Sequence, residues 1–209
     1  MKKIIFIIIA FLSLYLRVSG GYTDVNKNPN LPFTSAVIKY EYEGGRSGSE
    51  TVYIDLEANK IAIETSVSTT FKGITDTDKT LKIYDGKVAY SVNFGRRQAI
   101  KVTKEGEIVS EMFGEERFSD YYTGETNLLG NTCKVYQSPL GTFYFWHGII
   151  LREELTVPLM RIKYTKEAKS IELNTSISPE KFRLPSGVKV TTTEELKKKF
   201  EQKFKNFPR

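Results

Sequence analysis

The chain has 209 residues, 40% hydrophobic, 27% charged and 12% aromatic, with a formal charge of +6. That is enough for one domain with a sizeable core, and the balance excludes a fibrous or disordered chain. The charge also argues against nucleic acid: residues 1–20 hold three bases (Lys2, Lys3, Arg17) and no acid, so the remainder carries only +3.

The N-terminus reads as a signal peptide over residues 1–20. Lys2-Lys3 is a basic start, Ile4 to Leu16 is apolar, and Val18-Ser19-Gly20 offers small residues for cleavage. The apolar run is shorter than the ~20 residues a bilayer span needs. An uncleaved N-terminal anchor is the alternative. With no Cys nearby, a bacterial lipoprotein type of N-terminus is excluded. Cleavage near Gly20 would release a soluble mature chain, expected in the periplasm of a Gram-negative-type bacterium, with the outside of the cell as the alternative. Residues 21–33, with Asn26-Lys27-Asn28-Pro29-Asn30, read as a flexible leader to a single domain over 34–209.

Strand signals then follow closely. Ala36, Ile38, Tyr40 and Tyr42 alternate with Val37, Lys39, Glu41 and Glu43, a period of two with one polar face. Gly44 to Gly48 is a hairpin loop, and Val52, Ile54 and Leu56 continue the alternation, as do Ile61 and Ile63. Thr65 to Thr80 reads as a strand extension or a mobile loop. Asp85-Gly86 is a strong hairpin turn, and Val88, Tyr90, Val92 and Phe94 share one face beyond it. Lys104 to Tyr122 loses the period of two and reads as a helix-and-loop insert, its helix carrying Ile108, Met112 and Phe113 and ending at Gly114.

Gly130 to Leu155 reads as three short strands joined by tight turns at Pro139-Leu140 and at Gly148. Two more strands fall in Leu159 to Thr165 and Ser170 to Ile177. At the C-terminus, Thr192 with Glu195 makes a capping box, and Leu196, Phe200, Phe204 and Phe207 recur at helical spacing. The fold class is mainly β: eight to eleven antiparallel strands in a curved sheet or incomplete barrel, with a short helical insert and a C-terminal amphipathic helix.

Chemistry-bearing residues are sparse. Cys133 is the lone Cys and reads as a buried small hydrophobe, the alternative being a bond to another chain. Cys133 with His147, the lone His, leaves a zinc site incomplete. Asp76, Asp78 and Asp85 lack the spacing of a calcium loop. Glu115-Glu116 and Glu153-Glu154 read as solvated. No phosphate-binding loop, dinucleotide fingerprint or serine-nucleophile motif occurs. The expectation is a protein without catalytic residues, metal or cofactor.

The order of four short motifs resembles the LolA/LolB-like superfamily of periplasmic lipoprotein carriers, nearer to uncharacterised relatives such as proteins like the DUF4412 family. The motifs are Asp85-Gly86-Lys87-Val88-Ala89-Tyr90 with Arg96-Arg97, then Gly130 to Tyr136 as G-x-x-C-x-x-Y. Phe145 to Arg152 and Phe182-Arg183-Leu184-Pro185-Ser186-Gly187-Val188 complete the series. The resemblance implies an incomplete antiparallel barrel with a lid over an apolar cavity, which in the carriers takes acyl chains.

Two functions are therefore expected as alternatives. One is an exported β half-barrel that holds a lipid, acyl chain or other apolar ligand. The other is a structural or interaction module with a self-filled core and an envelope protein as partner. Alternation puts Ile38, Tyr40, Tyr42, Val88, Tyr90, Val92, Phe143 and Phe145 on strand faces expected to converge on one concave surface. Phe118, Tyr121, Tyr122, Phe200 and Phe204 are the candidate lid. The chain is expected to be a monomer that does not bind nucleic acid.

Overall fold

The structure is a computed structural model, and it describes residues 31–86, 88–103, 114–157 and 162–205, the side chains of 199, 200 and 203–205 excepted. Among these residues twelve strands form one sheet, in the order β12-β6-β5-β4-β3-β2-β1-β11-β10-β9-β8-β7. β1 (Ser35–Gly44), β2 (Arg46–Asp55), β3 (Lys60–Phe71), β4 (Ile74–Asp85), β5 (Val88–Asn93) and β6 (Gln98–Thr103) are one meander. β7 (Tyr122–Leu128), β8 (Asn131–Ser138), β9 (Gly141–Trp146), β10 (Ile149–Val157) and β11 (Ile162–Leu173) are a second. The two meanders join where β1 pairs with β11, Ala36 opposite Leu173. The sheet is mainly antiparallel, curved and unclosed. It exceeds the expected strand number by one, and β12 (Lys189–Thr192) runs parallel to β6 rather than antiparallel.

The tight turns lie where the sequence puts them. Gly86 (φ 57°) follows β4, and Gly148 (φ 80°) precedes β10. Gly141 closes the β8–β9 turn at φ 149°, where a Cβ would meet the Glu154 carbonyl oxygen at 2.1 Å, so only glycine lets β9 and β10 approach this closely. Thr65 to Thr80 is a strand extension, the far end of the long β3–β4 hairpin, with hydroxyl pairs Ser68–Thr77 and Thr70–Thr75 at 2.8 and 2.9 Å.

Three bulges curl the sheet. Register slips by one residue between Lys39 and Tyr40 against β11, between Ile150 and Arg152 against β9, and between Tyr122 and Gly124 against β8. An extra residue bends its strand and increases the local twist. Phe145 and Trp146, adjacent in β9 and therefore on opposite faces, are both buried, in different clusters.

The main core joins Ile38, Tyr40, Val52, Ile54 and Ile61 of the first meander to Cys133, Trp146, Ile149 and Leu151 of the second. Phe33 is 5% exposed and stacks on Trp146 with ring centroids 6.0 Å apart. Within the expected leader, Phe33 is buried and Leu31 is half-buried against this core. The signal-peptide reading and residues 21–30 lie outside the described residues.

After β11 the chain crosses the other face of β3–β6. A short 3-10 helix, Pro179–Phe182, drops Phe182 onto Ala62, Leu81, Ile83, Val92 and Ala99. A second 3-10 helix, Glu115–Tyr121, starts directly after Gly114. The expected helix over Ile108 to Phe113 lies outside the described residues. The C-terminal helix α1 (Thr193–Lys205) is present, and its capping box is formed in both directions, Glu195 N to Thr192 Oγ1 at 3.2 Å and Thr192 N to Glu195 Oε2 at 3.3 Å.

Candidate functional site

The eight apolar residues expected to converge on one concave surface do not share one. Register runs from Ile38 through Val52 to Ile63, Lys82 and Ser91, so Ser91 of β5 is on the face that Ile38 has on β1. Its neighbours Tyr90 and Val92, and with them Val88, point to the opposite face. There Val92 and Tyr90 pack under Phe182. Ile38 and Tyr40 are in the main core, and Tyr42 packs with Val67, Ile162 and Tyr164. Phe143 and Phe145 form a fourth group with Tyr136.

Of the candidate lid, Phe118 lies directly on the Phe143 and Phe145 rings, centroids 4.5 and 5.4 Å away. Tyr122 meets Tyr136 edge-on at 5.7 Å yet is 50% exposed, and Tyr121 is 40% exposed. The side chains of Phe200 and Phe204 are outside the described set.

Two polar constellations stand beside these clusters. In the first, Glu50 accepts from Lys166 Nζ at 2.9 Å, Tyr42 Oη at 3.1 Å and Thr65 Oγ1 at 3.0 Å. Burial pushes the Glu50 carboxyl up, but the Lys166 ammonium and these hydrogen bonds outweigh it and leave it below the usual carboxylate value. Burial pushes Lys166 down, and Glu50 and Glu153 more than reverse that. Tyr40 and Tyr42 are raised, chiefly by burial. Lys166 also lies 4.6 Å above the Tyr40 ring, whose hydroxyl donates to the Ile150 carbonyl at 3.0 Å. Glu50 gathers donors from three other strands, so the group reads as a structural clamp between β1, β2, β3 and β11.

The second constellation surrounds an open cleft of about 180 Å³ lined by Glu115, Glu125, Thr132, Lys134, Phe145 and His147. Glu115 is not solvated as the sequence suggests; its side chain is 17% exposed. It accepts from Lys134 Nζ at 2.9 Å, Tyr136 Oη at 2.7 Å and the Gly148 amide at 3.1 Å. Burial raises its carboxyl, and those three donors bring it below the usual value. The carboxylate thereby fixes the Trp146-His147-Gly148 turn, in which His147 has φ 46°. Nothing in the pattern around Gly114 signals that role, because the partners lie 19 to 33 residues later, on β8 and in the β9–β10 turn.

Cys133 and His147 do not form a pair. Cys133 is fully buried in the main core, with Sγ 3.6 Å from the Asn131 carbonyl, and burial raises its thiol. His147 is on the cleft. Among the described residues no three His, Cys, Asp or Glu side chains are placed to hold a metal. No helix of those residues is long and apolar enough to cross a membrane.

No protein-family model matches the sequence, and no curated protein matches it. Among solved structures, an uncharacterized conserved protein from Thermus thermophilus superimposes with a TM-score of 0.50 at 11% identity, covering 77% of this chain and 91% of its own. At that identity the likeness is one of fold. MucB gives 0.39 at 8% identity, covering 75% of this chain and 59% of its own, and its structures include a Pseudomonas aeruginosa MucA/MucB complex. PNGF-II gives 0.41 at 10% identity. The chain spans less than three fifths of MucB and a third of PNGF-II, and these scores are too low for inference about function.

Proposed function

We propose that the chain is an exported, non-enzymatic envelope protein that acts by binding another protein, with its interior filled by its own side chains. The observation that carries this reading is the fate of the residues expected to line a ligand cavity. Ile38, Tyr40, Tyr42, Val92, Phe143 and Phe145 are each 7% exposed or less, and they are shared among four separate packed clusters. The cleft beside them, about 180 Å³, is smaller than the ~300–1,000 Å³ usual for a ligand pocket. Kinship with the LolA/LolB-like carriers and their uncharacterised relatives belongs to the same proposal. The curved, unclosed sheet supports it, as does the place of the Asp85-Gly86 motif at a hairpin turn.

Export rests on the basic and apolar pattern of residues 1–20. Native mass spectrometry of the protein purified from its own envelope tests both halves. The expected result is a mature chain that begins near Gly21 and carries no lipid. A co-purifying acyl lipid at stoichiometric occupancy would overturn the self-filled reading in favour of a carrier.

A further inference from the structure

The β7 edge and the Glu115 cleft beside it form one surface. β7 is seven residues long, and among the described residues its only strand partner is β8. The opposite edge differs: β12 has only four residues and leads directly into α1. In the register of the second meander, Glu125 is opposite Lys134, and Lys134 is opposite Phe145. These three side chains form a row across one face, and the cleft lies over that row.

Charge in the row is unbalanced. Lys134 is bound to Glu115 at 2.9 Å, and Glu125 makes no ion pair among the described residues. Two carboxylates thus share one ammonium. A strand added outside β7 places the residue opposite Glu125 on the same face, as the next member of the row. A cleft of about 180 Å³ holds one side chain, and the lining selects a cationic one. Tyr121, Tyr122 and Leu129, at 40%, 50% and 49% exposure, flank the strand at its two ends and offer apolar contact to the same segment.

We propose that β7 is a docking edge for an extended, basic segment of a partner protein, which adds as a further strand and sets a Lys or Arg beside Glu125. This rests on the reading of the chain as a protein-binding module. It is specific to one edge and one charge.

The test uses the mature chain and nine-residue fluorescein-labelled peptides of alternating Thr and Val with Arg, Gln or Glu at the centre, read by anisotropy and by amide shifts. The Arg peptide is expected to bind at least tenfold tighter than the Glu peptide, with shifts confined to residues 121–136. Glu125→Lys is expected to reverse that preference, and backbone N-methylation of the peptide to abolish binding. Equal binding of the three peptides, indifference to Glu125→Lys, or shifts elsewhere would overturn the proposal. So would dimerisation through β7, or no binding at all, which would leave Glu125 and the Gly124 bulge as guards against edge pairing. Cross-linking in the envelope separates the two readings. A partner captured on another surface and insensitive to Glu125→Lys removes the β7 proposal and leaves the protein-binding function standing.

Discussion

Lys166 and Glu50 are 116 residues apart in sequence and 2.9 Å apart in the structure, with side chains only 15% and 11% exposed. A pair this enclosed is worth little over an apolar substitute but is damaging to split, because the survivor is a buried charge without a partner. Lys166→Met is expected to destabilise the protein by about 3–5 kcal/mol. The double variant Lys166→Met, Glu50→Gln should recover most of the loss. Urea denaturation measures both; additive losses would show that the two charges do not depend on each other.

The acid limb of stability follows from Glu50 and Glu115. Both carboxyls sit below the ordinary 4.5 in the folded chain. As pH falls, the unfolded chain takes up protons first, so their contribution is complete above about 4.5 and is lost as pH drops through the folded values. At the alkaline end Lys166 and Lys134 lie above 10.5 when folded, so their contribution is complete below that and lost as pH rises through their folded values. Melting temperature against pH should be flat from the acid limb up to the ordinary thiol and phenol range, where the unfolded chain loses the protons that buried Cys133, Tyr40 and Tyr42 retain and the alkaline fall begins. Glu50→Gln should shallow the acid limb; a wild-type curve unchanged down to pH 3 would refute the assignment.

Cys133 is fully buried among apolar side chains. Its thiol should react with an aromatic disulfide reagent only on unfolding. Cys133→Ser should lower stability by about 1–3 kcal/mol, since the hydroxyl enters a site built for sulfur. Rapid labelling of the native protein would contradict the packing described.

Phe182 anchors the segment that crosses β3–β6. Phe182→Ala should destabilise by about 3–5 kcal/mol and raise amide exchange in β5 and β6 above that in β9 and β10. Uniform loss of protection across both meanders would mean that the crossing segment is not a separate cover.

The hairpins were legible because each rests on local chemistry. Asp85-Gly86, Pro139-Leu140 and Gly148 state their turns within a few residues, and the Thr192–Glu195 box states its helix start. What alternation could not supply is which face each strand presents to the sheet as a whole. Tyr40 and Tyr90 both alternate cleanly, yet they lie on opposite faces, and only register carried strand by strand shows it. The bulge at Leu151 is equally silent, since an extra residue in a strand has the composition of the strand. At the cleft, Lys134 and Phe145 could be placed in strands, but Glu115 is drawn in by partners far along the chain.

The seam between β1 and β11 has a consequence for how the chain acquires its shape. Within each meander every pair joins neighbours in sequence, so each can zip up as a series of hairpins on its own. β1 against β11 must instead bring together segments at the two ends of the domain, Ala36 meeting Leu173. Closing so long a loop is the slow kind of step. A chain emerging N-terminus first would hold β1 with one edge unsatisfied until β11 arrived, and the charged pair of Glu50 and Lys166 could form only then. Refolding followed through Trp146, which reports the second meander against Phe33 and the first, should then lag behind the growth of strand signal.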